Sequence, residues 1–317
     1  MTSSTNCLKL GIIIVTGVVI LLLLLWSNND SRRLERTRLL VIDSRSYKHI
    51  PEIQLDMLKN SNESKPIVES LKRKYGEPHI SGIQTVNSEL TPEEKERFRI
   101  CVENGPRDRD QNGSKFWPNE QIRRTHHTYL SRDDAVMMEV GGNKGDDASE
   151  FVRLYNPRYI ILEPLEEYAK ILAEKFKNNT RVTVVNLGLG AKNEITMVKI
   201  EGNNACATSK FSSVQGETPL YVTNSTEFLL KIGLGLFDID LLTMNCEGCE
   251  FEALETILST TLVEHLRNIQ FATHSTIPGL KDPIQRYCRI QQLLLRTHRP
   301  TYQYKYIWEN WRRRDLS

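Results

Sequence analysis

Short apolar runs and amphipathic stretches alternate along the second half of the chain, and the pattern is clearest over residues 135–151. An apolar run interrupted only by Glu139 predicts a buried strand. It closes on the glycine-spaced turn Gly141-Gly142-Asn143-Lys144-Gly145, after which Ala148, Phe151, Val152 and Leu154 recur at helical spacing. The unit repeats. Residues 158–163 predict a second strand ending on Glu163, followed by a helix through Leu165, Tyr168, Ile171, Leu172 and Phe176. Residues 181–187 predict a third strand closing on Gly188-Leu189-Gly190, and 195–200 an additional edge piece. Strands at 237–244 and 269–273 alternate with helices at 251–262 and 283–295, and the run from Tyr302 reads as a closing antiparallel hairpin. Alternation of this kind predicts an α/β fold with a doubly wound, mostly parallel sheet that binds ligands beyond the carboxyl ends of its strands.

Upstream the pattern changes twice. Residues 10–26 are apolar and uncharged and end on Trp26, which predicts a transmembrane signal anchor in a lipid bilayer behind a short tail, 1–9. No small-x-small cleavage site follows, so the segment is expected to stay on the chain. Residues 27–90 are polar and punctuated by Pro51, Pro66, Gly76, Pro78 and Gly82, and read as a stem. The remaining domain, 91–317, divides into a helical extension, 91–134, and a core, 135–317. Thr91-Pro92-Glu93-Glu94 reads as a capping box that starts a helix running to about Val102. Residues 105–119 then read as loop, with Trp117-Pro118 a lid or packing anchor, and His126-His127 as part of a solvated face.

Composition excludes more than it suggests. The 42 lysines and arginines balance 40 aspartates and glutamates, so no nucleic-acid partner is implied. Only Lys9 precedes the apolar segment, whereas Arg32, Arg33, Arg36 and Arg38 follow it. A literal count of flanking charge keeps the domain in the cytoplasm, but long domains translocate regardless of it. The expected arrangement is a single-pass type II protein of the Golgi or endoplasmic reticulum with residues 91–317 in the lumen. Sequons at Asn62, Asn112, Asn178 and Asn224 suit that side without deciding it. Six cysteines are too few for a disulfide scaffold, though pairing among Cys101, Cys206, Cys246, Cys249 and Cys288 is open in a lumenal domain.

The candidate chemistry lies at the predicted strand ends. A strand that turns through glycines onto a helix brings free backbone N–H groups to a ligand. The spacing acid-x-Gly-x-x-x-Gly, formed by Glu139, Gly141 and Gly145 around Asn143, resembles motif I of class I S-adenosylmethionine-dependent methyltransferases, with their Rossmann-like sheet of the seven-stranded type. Glu163, 24 positions after Glu139, then stands where a carboxylate accepts the ribose hydroxyls of an adenosyl cofactor. The stretch LLTMNCEGCEFEALETIL resembles the FkbM methyltransferase signature, in which a strand ending K-x-D-x-E-G-x-E enters a helix, and the glycine turn resembles that family's G-A-N-x-G. The likeness spans about 136–308. Met244 and Asn245 replace the usual lysine and aspartate, whereas Glu247 and Gly248 match.

The resemblance implies S-adenosyl-L-methionine as cofactor, held by Glu139, Gly141, Asn143, Gly145, Glu163 and Asn245, and O-methyl transfer to a hydroxyl acceptor, a glycan or small molecule. His274, at a strand end, is the expected general base and Glu247 the alternative. Asp146 is a candidate helix cap, and no metal site is implied. The pair Cys246-x-x-Cys249 is expected to be structural, since flanking glutamates oppose a reactive thiolate. Two other classes compete. A metal-dependent Golgi glycosyltransferase would use a D-x-D motif, for which Asp238-Ile239-Asp240 and Asp108-Arg109-Asp110 are candidates. A non-catalytic membrane-anchored adaptor on a methyltransferase fold is the other, prompted by Asn245.

Overall fold

The parallel sheet forms where the sequence places its longest apolar runs. In a computed structural model, which describes residues 83–202, 208–211, 216–235 and 237–316, strands β1 (Val136–Val140), β2 (Arg158–Leu162) and β3 (Val182–Val185) pair in parallel. The anchor expected at 10–26 and most of the stem lie outside the described residues, and among the described residues no helix is long and apolar enough to cross a membrane. On the other side of β1 lie β7 (Leu241–Met244) and β8 (Asn268–Ala272), also parallel. The hairpin of β9 (His298–Tyr304) and β10 (Trp308–Arg313) completes the order β3-β2-β1-β7-β8-β10-β9, with β10 antiparallel to both neighbours. This is the doubly wound, mostly parallel sheet that the alternation predicts, with the seven strands that the resemblance implies.

Every residue of β1 is buried, which requires cover on both faces because successive side chains point oppositely. One face presents Met137, Tyr159, Ile161, Val182 and Val184. Helices α2 (Asp146–Leu154) and α3 (Glu166–Phe176) close it with Ala148, Phe151, Ala169, Leu172 and Phe176. On the far half of the domain, α5 (Cys249–Leu258) packs on α6 (Pro283–Thr297). The helix that opens the domain, α1 (Pro92–Phe116), packs on α6 in turn. Its capping box is present: Glu94 N donates to Thr91 Oγ1, and Thr91 N donates to Glu94 Oε2. Glu94 also pairs with Arg296 of α6, whose guanidinium holds the carboxyl down at about 2, and a Cys101–Cys288 disulfide joins the two helices.

Three expectations change. Residues 105–119 are not a loop, because α1 continues through Pro106 to Phe116. Tertiary packing overrides the breaker: at Gly105 a methyl group would lie 2.8 Å from both Ile284 and Tyr306 Oη, so the helix is pressed against α6 and the hairpin turn. The anchor there is Phe116, buried and stacked parallel to Trp308, while Trp117 is 66% exposed. His127 is not on a solvated face. It is fully buried, bonded to Tyr129 Oη at 2.7 Å and Gln270 Oε1 at 2.8 Å, and burial pushes it down to about 4. Finally, the edge piece near 195 belongs to a separate sheet. β4 (Gly188–Gly190), β6 (Thr218–Asn224) and β5 (Glu194–Val198) form it in the order β4-β6-β5, and β6 leads into the short α4 (Ser225–Lys231). Ahead of α1, Thr85 bridges to Thr260, so the packed chain begins before Thr91.

Candidate functional site

The parallel register brings Val140, Leu162 and Met244 side by side, so the loops that follow β1, β2 and β7 leave the sheet together. The first is the glycine turn. Gly141, Asn143 and Gly145 all take left-handed φ values, 90°, 46° and 81°. Gly141 N and Gly142 N both donate to Leu162 O, which folds the turn over the end of β2. Gly145 then stands as the N-cap of α2 with no side-chain cap; Asp146, expected as a cap, is almost wholly exposed near Lys175. Asp147 instead points back to the extension, where Arg123 and Arg124 both pair with it.

Glu163 sits directly beneath this turn. Its Oε2 accepts from Asn143 N at 2.7 Å and its Oε1 from Leu165 N at 2.8 Å, while its backbone carbonyl accepts from Asn186 Nδ2. Burial raises its carboxyl to about 7 against the opposing effect of the two backbone donors. Glu139 is placed differently from the other predicted residues. It is buried within β1, accepts from Tyr159 Oη at 2.7 Å, and is pushed to about 8 by burial and by the nearby charge of Asp147. A carboxyl so held supports the turn from below and is not presented at the sheet edge.

The loop after β7 meets the glycine turn directly. A methyl group on Gly141 would lie 2.2 Å from Asn245 O and 3.1 Å from Cys246 Cα. Asn245 N donates to Val140 O and the residue is exposed. The spacing K-x-D counted back from Asn245 puts Thr243, not Met244, at the lysine position; Thr243 is buried and accepts from Gln270 Nε2. Glu247 and Gly248 then adopt left-handed φ values of 52° and 99°, bracketed by a Cys246–Cys249 disulfide. Ser209 Oγ donates to Glu247 O at 2.6 Å.

His274, just past β8, completes the group. Its Nε2 lies 3.4 Å from Glu247 Oε1 and its Nδ1 3.1 Å from Glu250 Oε1, which also accepts from His274 N at 2.8 Å. Glu250 is 1% exposed, and its other oxygen accepts from Gly248 N. Burial disfavours a charged imidazole here, but the two carboxylates outweigh it and raise His274 to about 10. At neutral pH it is an imidazolium with both ring nitrogens carrying protons, so it has no lone pair with which to accept another. That state does not suit the general-base role expected of His274, and Glu247, the alternative expected from the sequence, lies beside it.

Seven of the eight predicted residues thus gather at one sheet edge, Glu139 lying below it. Sequence reading missed Glu250 as a partner of His274, although it is the last acid of the E-G-x-E pattern. It also missed Ser209, for which no motif gives a signal. Both D-x-D pairs are elsewhere. Asp238 and Asp240 precede β7, at the opposite end of the sheet, where Arg132, Arg267 and Arg313 pair with them. Asp108 pairs with Lys305 and Asp110 with Arg109 on α1.

Residues 139–282 match the family described as the methyltransferase FkbM domain, a span that contains all eight predicted residues. Among curated protein sequences none matches this chain. Solved structures with some similarity include the 1,6-didemethyltoxoflavin-N1-methyltransferase of Burkholderia thailandensis, crystallised with S-adenosylhomocysteine (15% identity, TM-score 0.31, covering 75% of this chain and 99% of that one). Others are an O-methyltransferase from Bacillus cereus in complex with SAH (11%, 0.32, 84% and 97%) and the plantazolicin methyltransferase BpumL in complex with SAH (10%, 0.26, 84% and 72%). Overlap of this degree carries no argument about the present chain.

Proposed function

We propose that this protein, whose residues 139–282 match the methyltransferase FkbM domain, uses S-adenosylmethionine to O-methylate a hydroxyl-bearing acceptor at the edge formed by β1, β2, β7 and β8. The donor set fits the cofactor. A buried carboxylate bonded to the backbone of a left-handed glycine turn suits a ribose diol, and Glu163 is such a group, with Asn143 and Gly145 in the turn above it. Bound there, the cofactor supplies a sulfonium methyl open to attack by an oxygen nucleophile. Glu247 receives the hydroxyl proton of the acceptor. His274, an imidazolium between two carboxylates, holds Glu247 Oε1 and leaves Oε2 as the oxygen that it does not engage. Glu250 orients His274 in turn.

The single observation that supports this reading is the contact of the glycine turn with Asn245 and Cys246, the residues that lead directly into Glu247. A glycan acceptor in the secretory pathway, with the protein anchored through residues 10–26, is the setting we favour. Two disulfides support it, because such bonds persist in oxidising compartments. The test is transfer of a labelled methyl group from S-adenosylmethionine to mixed oligosaccharides, with amine and thiol acceptors alongside. Label in an ether that is lost with Glu247→Gln supports the proposal, whereas label confined to nitrogen or sulfur acceptors refutes it.

A further inference from the structure

The two residues that present the proposed proton acceptor are held more firmly than a connecting turn requires. The left-handed region is unfavourable for a non-glycine residue, and Glu247 adopts it immediately before Gly248. Four restraints converge on the pair. The disulfide closes across it from Cys246 to Cys249, Ser209 Oγ grips Glu247 O, Gly248 N is tied to Glu250, and the Phe211 and Ile277 side chains pack where a Cβ on Gly248 would stand, 3.0 and 2.9 Å away. We propose that the Cys246–Cys249 disulfide is a positioning clamp for Glu247, so that its thiol–disulfide state sets how well Glu247 is aimed at the acceptor. The proposal rests on the reading of Glu247 as proton acceptor.

The surroundings favour the closed form and still allow it to be opened. Cys246 Sγ lies 3.7 Å from Glu250 Oε2, so a thiolate there would face a buried carboxylate. Cys246 is half-buried, which leaves it within reach of a small thiol. A dithiol reductant opens the clamp by exchange. One thiolate attacks a sulfur of the pair and the S–S bond breaks. The second thiol resolves the mixed disulfide, leaving Cys246 and Cys249 as thiols and the reductant as its own disulfide, with two electrons and two protons transferred.

The test uses the full chain and reads the His274 titration by NMR, assigned with His274→Gln, since that ring senses where the Glu247 carboxylate is. Reduction with dithiothreitol, or the double change Cys246→Ser with Cys249→Ser, should lower the His274 midpoint by about one unit or more as the contact with Glu247 is lost. S-adenosylhomocysteine binding should stay within twofold, and kcat on mixed oligosaccharides should fall by about tenfold to a hundredfold, as expected for misplacement near 1 Å. The double variant should then ignore dithiothreitol, while Cys101→Ser with Cys288→Ser should keep the response. An unchanged His274 titration in the reduced protein and in the double variant overturns the clamp. If the midpoint moves but no label reaches the acceptors in the unmodified protein, the clamp stands and the functional reading fails.

Discussion

Replacing Gly141 by alanine probes the place where the cofactor turn and the Glu247 loop touch. The backbone there has φ of 90°, a region that costs an L residue about 1–2 kcal/mol. The new methyl would also stand 2.2 Å from Asn245 O, where a carbon and an oxygen ordinarily approach no closer than about 3.3 Å. The obstacle is backbone, not a side chain that can swing away, so the ends of β1 and β7 must separate by roughly 1 Å. Overpacking of that kind costs about 1–3 kcal/mol. Together the two terms predict a loss of about 2–5 kcal/mol, within the 5–15 kcal/mol typical of a folded domain, so the variant folds but is weakened. Urea unfolding reads the stability, and calorimetric titration with S-adenosylhomocysteine reads the site, which should bind at least tenfold more weakly. Gly113→Ala is the control: its methyl would meet only Ile307, at 3.8 Å, and a helical alanine should add about 0.5–1 kcal/mol. Unaltered stability and binding in Gly141→Ala would refute the close approach of the two loops.

Glu250→Gln should lower stability at pH 7 by about 3–5 kcal/mol, because it removes one partner of a buried ion pair. His274 is raised to about 10 in the native state, so its contribution is complete below its ordinary value and is lost as pH rises through 10. The unmodified protein should therefore lose stability between pH 8 and 10 more steeply than the variant, and parallel urea midpoints across that range would contradict the assignment. Glu139 moves stability in the same direction, because its native state also keeps a proton that the unfolded chain has released. The unfolded chain releases that proton near the ordinary 4.5 while the native state keeps it to about 8, so stability falls as pH rises across this window. Glu139→Gln keeps the Tyr159 bond without the charge and should gain on the order of 4 kcal/mol at pH 8 and under about 1 kcal/mol at pH 5, at about 1.4 kcal/mol per unit of displacement between 4.5 and about 8. Equal effects at both values would show that Glu139 is ionised in the folded protein.

The sheet is readable because its strands are short apolar runs bounded by glycines and acids, and helices α2, α3, α5 and α6 carry their period in plain view. What escapes has physical causes. Pro106 signals a break, but Gly105, the Cys101–Cys288 bond and stacking of Phe116 on Trp308 outweigh it, and none of these contacts is local. β6 contains Pro219 and mixed burial, so its alternation is weak, and only Asn224, which caps α4 through Glu227 N, marks the boundary. In the site, Gly141, Glu163 and Glu247 are visible as motif positions. The charge on His274 is not, because it depends on Glu250, a motif acid whose pairing with a histidine 24 positions away no local pattern signals.

Calorimetric binding of S-adenosylmethionine and S-adenosylhomocysteine to the purified protein and to Glu163→Ala tests the central claim most directly. The account predicts micromolar binding of both and a loss of about tenfold to a hundredfold in the variant, the worth of one or two hydrogen bonds to a charged group. A folded protein that binds neither compound, or a variant that binds them as tightly as the parent, would contradict a cofactor site built on Glu163.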